Sequence, residues 1–431
     1  MKLSLGRAST LALALALGTM IAGASACADS DEVLGTMFPS DDAGNATLPD
    51  GGDEDVAPAP VPDASVEAGP KTCSDHGFCP THVPDGKTVK ALWGDGNGVV
   101  WAATEQGDVL RWDGTTWKLH VSDLGPLNAI WGSGATDVWV GGEQGLFHGA
   151  GASSSALTFE PVTLPGDDAS PIASIWGLSQ TEIWAVGTAL DMTTFEYVGR
   201  AFRFVADDDD DDAGDAGDDA GRVVSGHWEL HPVSTSGVRF TRVWGSATGG
   251  VWVGGQKPME EMPWVGEPAV LHDDGTGNFI ENVLPLDPDP EVVPWEKEST
   301  FTGAFVESKT SLTIWAQPVS IFSRPSVWRG TSTDDGKTFT FTWARDERPP
   351  GPPVHHVAGM AANDIWGAGD YGRLIHWNGV KWSTTAISLT GYPVKDPFFA
   401  VWTAGPNEVW VGGKEMVLRF DPTKEKNGGV D

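Results

Sequence analysis

Three cysteines, a histidine pair, three tyrosines and a run of aspartates are the residues whose types invite chemistry. Their spacing restricts that chemistry. Cys73 and Cys79 stand in KTCSDHGFCP with only His76 and His82 nearby, too few ligands for a tetrahedral zinc site. His355 and His356 precede a strand-like run and read as a solvated pair rather than a metal centre. The tract DDDDDDAGDAGDDAG at 207–221 lacks the spaced ligands and turn glycine of a calcium loop and reads as a solvated spacer. No zincin, nucleophile-elbow or phosphate-loop pattern is present. No spacing isolates a carboxylate pair for glycoside cleavage. What remains is binding, with no cofactor or metal expected.

Cysteine parity leads further. Residues 1–26, MKLSLGRASTLALALALGTMIAGASA, put Lys2 and Arg7 ahead of a weakly apolar run that ends in Ala24, Ser25 and Ala26, the layout of an export signal. An exported chain with three cysteines carries one odd thiol unless one has another fate. The residues before Cys27 resemble the lipobox of bacterial lipoproteins, with Ala24 in place of the usual Leu. That resemblance implies acylation of Cys27 and a stable anchor, since each buried CH₂ contributes about 0.8 kcal/mol. A secreted product cleaved after Ala26 with Cys27 unmodified is the alternative. Lipidation leaves Cys73 and Cys79 free to pair, for roughly 2 kcal/mol, in the oxidising space outside the inner membrane.

Between 28 and 70 there are eleven acidic residues and no Lys or Arg among many Pro, Ala and Gly, so residues 27–70 are expected to form a disordered acidic tether. The whole chain has 60 acidic against 27 basic residues, a net charge of -33. Tether and aspartate tract together hold 20 of the acidic residues. So acidic a chain is not expected to bind nucleic acid, and its contact with membrane is expected through the lipid anchor only.

Tryptophan makes up 21 of 431 residues, and an internal repeat accounts for it. ALWGDGNGVVWAAT, AIWGSGATDVWVGG, SIWGLSQTEIWAVG, RVWGSATGGVWVGG and AVWTAGPNEVWVGG pair Trp93 with Trp101, Trp131 with Trp139, Trp176 with Trp184, Trp244 with Trp252, and Trp402 with Trp410. VAGMAANDIWGAG keeps Trp366 but has Ala358 first; AFVESKTSLTIWA keeps Trp315 with about two extra residues. The second tryptophans lie 38, 45, 68, 63, 51 and 44 residues apart, and roughly forty to fifty residues suit one propeller blade. The longer gaps hold insertions: an Asp-rich one at 205–222, expected to be disordered, and Pro-rich loops at 255–267 and 284–300. Each unit begins as a hairpin. DVLRW, RAFRF, AVLHD, RLIHW and MVLRF read as third strands, and DGTTWKLH, GHWELH and NGVKWSTT as fourth.

The fold expected is all-β, a seven-bladed β-propeller over residues 71–431. Its indoles are assigned to packing between sheets rather than to sugar stacking, each ring N–H finding a backbone acceptor. The last unit ends at MVLRFDP without a fourth strand. The segment from Ser74 to Pro84 is expected to supply it, with the Cys73 and Cys79 bridge stapling the seam.

The pattern from Cys73 to Asp421 resembles the Trp-rich propeller lipoproteins of Gram-negative cell surfaces, in which a CxxxxxC segment and an acidic linker precede the blades. Ser332, Thr333, Asp334, Asp335, Gly336, Lys337, Thr338 and Phe339 also resemble the Asp-box of sialidase-like propellers, a turn that implies fold stability and not catalysis. Sialidase chemistry is not supported: the tyrosines are only Tyr197, Tyr371 and Tyr392, and the Arg-Ile-Pro signature is missing. The resemblance implies a monomeric binding or assembly scaffold at the outer membrane or cell surface, as in the lipoprotein propeller of the barrel-assembly machinery, by analogy of fold and anchor alone. Its partner is expected to be an envelope protein or polysaccharide. The alternative is a carbohydrate-active enzyme of the Asp-box type.

Strand order places second-to-third turns and blade-to-blade connections on one face. Trp264 and Trp295, which no strand claims, belong there, as do Glu105, Gln106, Glu143, Gln144, Asp370, Tyr371, Lys414 and Glu415. A binding rim of Trp264, Trp295, Glu105, Glu143, Asp370, Tyr371 and Lys414 is the expected site. Both loop tryptophans folding down onto the blade is the competing expectation.

Overall fold

The computed structural model describes residues 72–426 apart from 167–169, 208–223, 234–236, 260–265, 274–277, 286–298, 319–324, 345–348, 350 and 352. The chain divides into two units, Met1–Ser65 and Val66–Asp431, and every described residue belongs to the second. The export signal, Cys27, the tether, most of the aspartate tract, Trp264 and Trp295 lie outside the described residues.

Alternating Val, Trp and Ala between Gly, Asn and Asp turns give 28 strands, which pair into seven four-stranded antiparallel sheets. Blades 1 to 6 occupy residues 89–121, 127–162, 172–230, 239–282, 299–343 and 354–386. Blade 7 is built from Phe398–Gly405, Glu408–Gly413, Met416–Glu425 and, as its outer strand, His76–Thr81 from the other end of the chain. Each inner strand contacts that of the next blade, and the cycle closes from blade 7 to blade 1. The fold is a seven-bladed propeller, shut by the N-terminal strand as the unfinished last repeat requires. A disulfide ties Cys79 within that strand to Cys73 just before it.

The repeat tryptophans are cross-strand partners: Trp93 faces Trp101, and the same register joins Trp131 to Trp139, Trp176 to Trp184, Trp244 to Trp252 and Trp402 to Trp410. Blade 5 differs. There Trp315 faces Gly303, and Thr313, opposite Phe305, holds the position that carries Trp elsewhere. The hairpin has the same length as in the other blades, and Trp315 lies two residues further along the second strand, on the same face.

The second tryptophans join the blades head to tail. Trp139 packs on Phe204 and Trp228 of blade 3, Trp184 on Phe279 of blade 4, Trp252 on Phe339 and Phe341 of blade 5. Trp315 reaches Trp382 of blade 6, Trp366 reaches Phe78 of the closing strand, and Trp410 reaches Trp112 and Trp117 of blade 1. The ring is thus a closed aromatic relay in which Phe78 fills the place that outer-strand aromatics fill in other blades. The opposite strand covers most of these indoles with a cation or imidazole: His148 stacks on Trp139 at 3.8 Å, His376 on Trp366 at 4.1 Å, and Arg419 lies 5.4 Å from the Trp410 ring.

One expectation needs correction. Trp252 Nε1 donates to Gly249 O and Trp328 Nε1 to Pro285 O, but the buried N–H groups of Trp101, Trp139, Trp184, Trp315 and Trp410 meet no acceptor among the described residues. Their rings are set by aromatic packing into the next blade, whose area outweighs one unmade hydrogen bond.

The Trp-Gly dipeptides add a second interlock. A Cβ on Gly94 would sit 2.6 Å from Trp402, on Gly132 2.8 Å from Trp93, on Gly177 2.7 Å from Trp131 and on Gly245 2.6 Å from Trp176. Each inner-strand indole therefore lies over the glycine of the following blade. Gly177→Ala is expected to destabilise the protein by about 1 to 3 kcal/mol through overpacking, measured by urea denaturation; an unchanged midpoint would dismiss the interlock.

The insertions are partly strand. The second and third strands of blade 4 run to Pro258 and resume at Gly266, and the blade 3 sheet extends to Ala206 before the aspartates. In blade 5, Asp334 accepts the Thr338 amide at 2.9 Å and the Thr338 hydroxyl at 2.6 Å, Gly336 takes φ 82°, and Phe339 tucks against Trp252. Asp113 and Asn378 cap the equivalent turns of blades 1 and 6 in the same way.

Candidate functional site

Every inner strand carries a β-bulge at the same place. The seven extra residues are Lys90, Asn128, Ala173, Thr241, Thr302, His355 and Phe399. A bulge re-aims the side chains around it, and here it opens one mouth of a central channel of about 660 Å³. His355 Nε2 meets Asp370 Oδ1 at 2.7 Å, the His355 ring lies 5.2 Å from Phe399, and Lys90 Nζ sits 4.0 Å over that same ring. Blades 6, 7 and 1 thus form one contiguous polar and aromatic edge.

The residue after each bulge turns toward the next blade. It is small in five blades: Ala91, Ala129, Ser174, Gly303 and Ala400. Ser174 Oγ accepts the Val243 amide at 3.2 Å, so a hydroxyl meets a backbone group of blade 4. In the remaining blades the position holds Arg242 and His356. His356 Nδ1 lies 3.1 Å from Val401 O and 3.2 Å from Val401 N, the same bridging role. Burial, and then the neighbouring Arg242 charge, push His356 down to about 3, against the opposing bond to Val401 O. Arg242 Nε donates to Phe301 O at 3.3 Å. Its guanidinium lies in the channel wall, partly exposed, and desolvation there holds it below its usual value.

The paired histidines therefore part company: His355 serves the mouth and His356 the waist. Expecting both to be solvated is wrong for His356, because the bulge sends neighbouring side chains in different directions.

Four of the described rim residues lie in turns held against the starts of inner strands. The amides of Glu105, Glu143, Asp370 and Glu415 donate to Thr88 O, Pro126 O, Pro353 O and Lys87 O, each acceptor lying in a segment that enters an inner strand. Glu105, Glu143 and Lys414 are exposed, Asp370 is partly covered by His355, and Tyr371 is 68% exposed with φ 57°. Lys414 Nζ lies 3.7 Å from Asp396. Gln106 is also exposed, and its side-chain oxygen accepts the Thr88 amide at 2.8 Å.

Blade 3 adds a feature that the sequence pattern did not reveal. Its second and third strands, Glu182–Asp191 and Glu196–Ala206, pair from Trp184 to Asp191 and carry a hairpin beyond the rest of the blade. Met192 and Phe195 at the tip are 70% and 73% exposed, and Arg239 covers Tyr197 at 4.8 Å. The apolar residues at 190, 192, 195 and 197 were the available signal, hidden because neither strand contains the repeat motif there.

No family model and no curated protein sequence matches this chain. Among solved structures, YCF48 bound to D1 peptide aligns with a TM-score of 0.51 at 13% identity, over 82% of this chain and 99% of that one. YCF48 from Cyanidioschyzon merolae aligns at 0.53 and 12%, over 80% and 99%. The WD40 β-propeller domain of Doa1 aligns at 0.50 and 10%, over 84% and 99%. At such identities the likeness is one of architecture, and it agrees with the sheet order: this chain is a seven-bladed β-propeller.

Proposed function

We propose that the protein is a lipid-anchored, extracytoplasmic propeller that binds or assembles other components of the cell envelope. The observation that carries this reading is the mouth of the channel, where bulge residues, rim turns and the blade 3 hairpin put charged, aromatic and exposed apolar groups on one face. Exposed anchors beside fixed turns suit recognition of a protein surface or a polysaccharide. YCF48, a neighbour in fold, was solved with a D1 peptide bound, so a peptide segment is an appropriate partner class. Acylated Cys27 and the acidic segment after it act as anchor and tether, and the protein works as a monomer. The Asp334 turn acts as an Asp-box that stabilises blade 5. Glu307 is the one carboxylate among the described residues lining the channel, whereas glycoside cleavage uses two flanking carboxyl groups; binding is the better reading.

Two measurements test it. Cys27→Ser is expected to move the protein from the membrane to the soluble fraction, and membrane retention overturns the anchor. Crosslinked partners are expected to be lost when Tyr371 and Phe195, or Trp264 and Trp295, are replaced by Ala; full retention in both variants rejects the face.

A further inference from the structure

We infer that the central channel is a site for a short acidic saccharide, its carboxylate held by Arg242 and its ring faces laid on an arc of Trp402, Trp93, Trp131 and Trp176. This deepens the binding reading and rests on it, with a ligand class and a location of its own.

Arg242 is the first argument. Five of the seven equivalent positions are small, and Ser174 meets the backbone of the next blade with a neutral hydroxyl. A guanidinium is not needed for that contact. Apart from Nε, no protein acceptor among the described residues meets Arg242, and no carboxylate among them pairs with it. A cation held in a desolvated wall without a counter-charge is costly, and an anion entering the channel removes that cost. The positive field is felt locally, since it helps to keep His356 neutral. Glu307, the acidic residue of the described lining, already accepts the Ser311 hydroxyl at 2.8 Å. The net charge of -33 does not oppose this, because screening over about 8 Å at physiological salt isolates the channel from much of the outer charge.

The channel wall is also lopsided. Blades 7, 1, 2 and 3 supply Trp402, Trp93, Trp131 and Trp176, each partly exposed and all lining the channel. The corresponding residues of blades 4, 5 and 6 are a buried Trp244, Phe305 and Ala358. Trp244 differs for a steric reason: blade 5 has Val306 where a glycine would receive the indole, and the ring turns onto Gly254 of its own blade. One wall is therefore aromatic, and the other carries Arg242. Pyranose C–H faces suit indoles, while hydroxyl groups suit the unpaired inner-strand edges that line the channel. About 660 Å³ lies within the range of small-ligand sites, roughly 300 to 1,000 Å³, and excludes a folded partner.

Isothermal titration of the full mature protein with tri-galacturonate, neutral galactotriose and an acidic tripeptide decides the matter. Tri-galacturonate is expected to bind at least about tenfold tighter than galactotriose. Arg242→Met should reduce it to the neutral sugar's level and Arg242→Lys should retain most of the affinity, with thermal melts showing both variants folded. Equal affinity for the two sugars, an unaffected Arg242→Met variant, or preference for the peptide overturns the inference. Partner capture provides the separate readout: no saccharide binding by the unsubstituted protein with capture lost only in the rim variants condemns the channel site alone, and saccharide binding with capture unaffected by the rim variants condemns the face alone.

Discussion

Replacing Phe78 with Ala is expected to remove about 3 to 5 kcal/mol of stability, more than its place on a short terminal strand suggests. Phe78 is 1% exposed and packs 5.8 Å from Trp366 and 5.3 Å from Phe420. It also belongs to the cluster of Ile387, Leu389, Phe398 and Leu418 that joins blade 6 to blade 7. Its loss breaks the aromatic relay at the one point where the blade depends on residues some 340 positions away, and it weakens the pairing of Phe78 with Phe420 and of Cys79 with Arg419. The Cys73–Cys79 bridge acts on the same seam. The Cys73→Ser, Cys79→Ser variant is expected to lose about 2 kcal/mol, since a short loop restricts the unfolded chain modestly. Differential scanning calorimetry under oxidising and reducing conditions checks both. A single cooperative transition shifted downward supports ring closure; an unchanged melting temperature rejects it.

Acid is expected to destabilise the protein well before its carboxylates protonate. His356 has a folded pKa of about 3, below the value near 6.5 of an unfolded chain. Between those limits the unfolded state binds a proton that the folded state refuses, so stability falls as pH decreases, at most by about 1.4 kcal/mol per pH unit for one group. The lowered carboxyl group of Asp364, bonded to His376 and Trp366, acts in a different window: its contribution is complete above about pH 4 and is lost only below that. His356→Gln should therefore flatten the stability profile between pH 6.5 and 4 while leaving the steeper loss at lower pH. Arg242→Met should raise the His356 pKa, because it removes a nearby positive charge that disfavours the imidazolium. Urea denaturation across pH and the titration of the His356 Cε1–H proton by NMR read both effects. A flat wild-type profile between pH 6.5 and 4 dismisses the linkage.

These expectations bear on function, because stability and binding meet in the same wall. Arg242 lowers the protonation of His356 and carries an unpaired charge toward the channel, whereas Phe78 holds the ring that shapes the channel. Changes at the seam should therefore reduce binding at either mouth through the fold. Changes at the bulge residues should act on one ligand alone.

Much of the architecture was legible in the chain. The eight-residue Trp spacing, the Gly, Asn and Asp turns, and the third-strand motifs such as DVLRW and RLIHW are local, and each repeat makes the same hairpin whatever surrounds it. The missing fourth strand of the last unit could be inferred for the same reason, since an open edge must be covered. Locality also explains the expectations that failed. Trp315 stands two residues beyond the usual position and packs on Trp382 of the next blade, and no pattern within the unit states that. The indole N–H groups were expected to find backbone acceptors, but the aromatic side chains of the neighbouring blade decide where the rings point.

The sequence by itself determined the strand inventory, the number of blades and the need for closure, because periodicity and turn chemistry act over a few residues. Tertiary structure alone decided which side chains face the channel. Bulges at Lys90, His355 and Phe399 separate adjacent residues, the blade 3 hairpin extends past its motif, and Arg242 meets Phe301 and His356 only after the ring has closed. Residues that looked like repeat core, Trp93, Trp131, Trp176 and Trp402, also reach the channel because each lies over a glycine of the next blade, not its own. The physical reason is common to all of these: which surfaces meet across a ring is set by how blades pack, and a chain read one unit at a time contains no term for its neighbour.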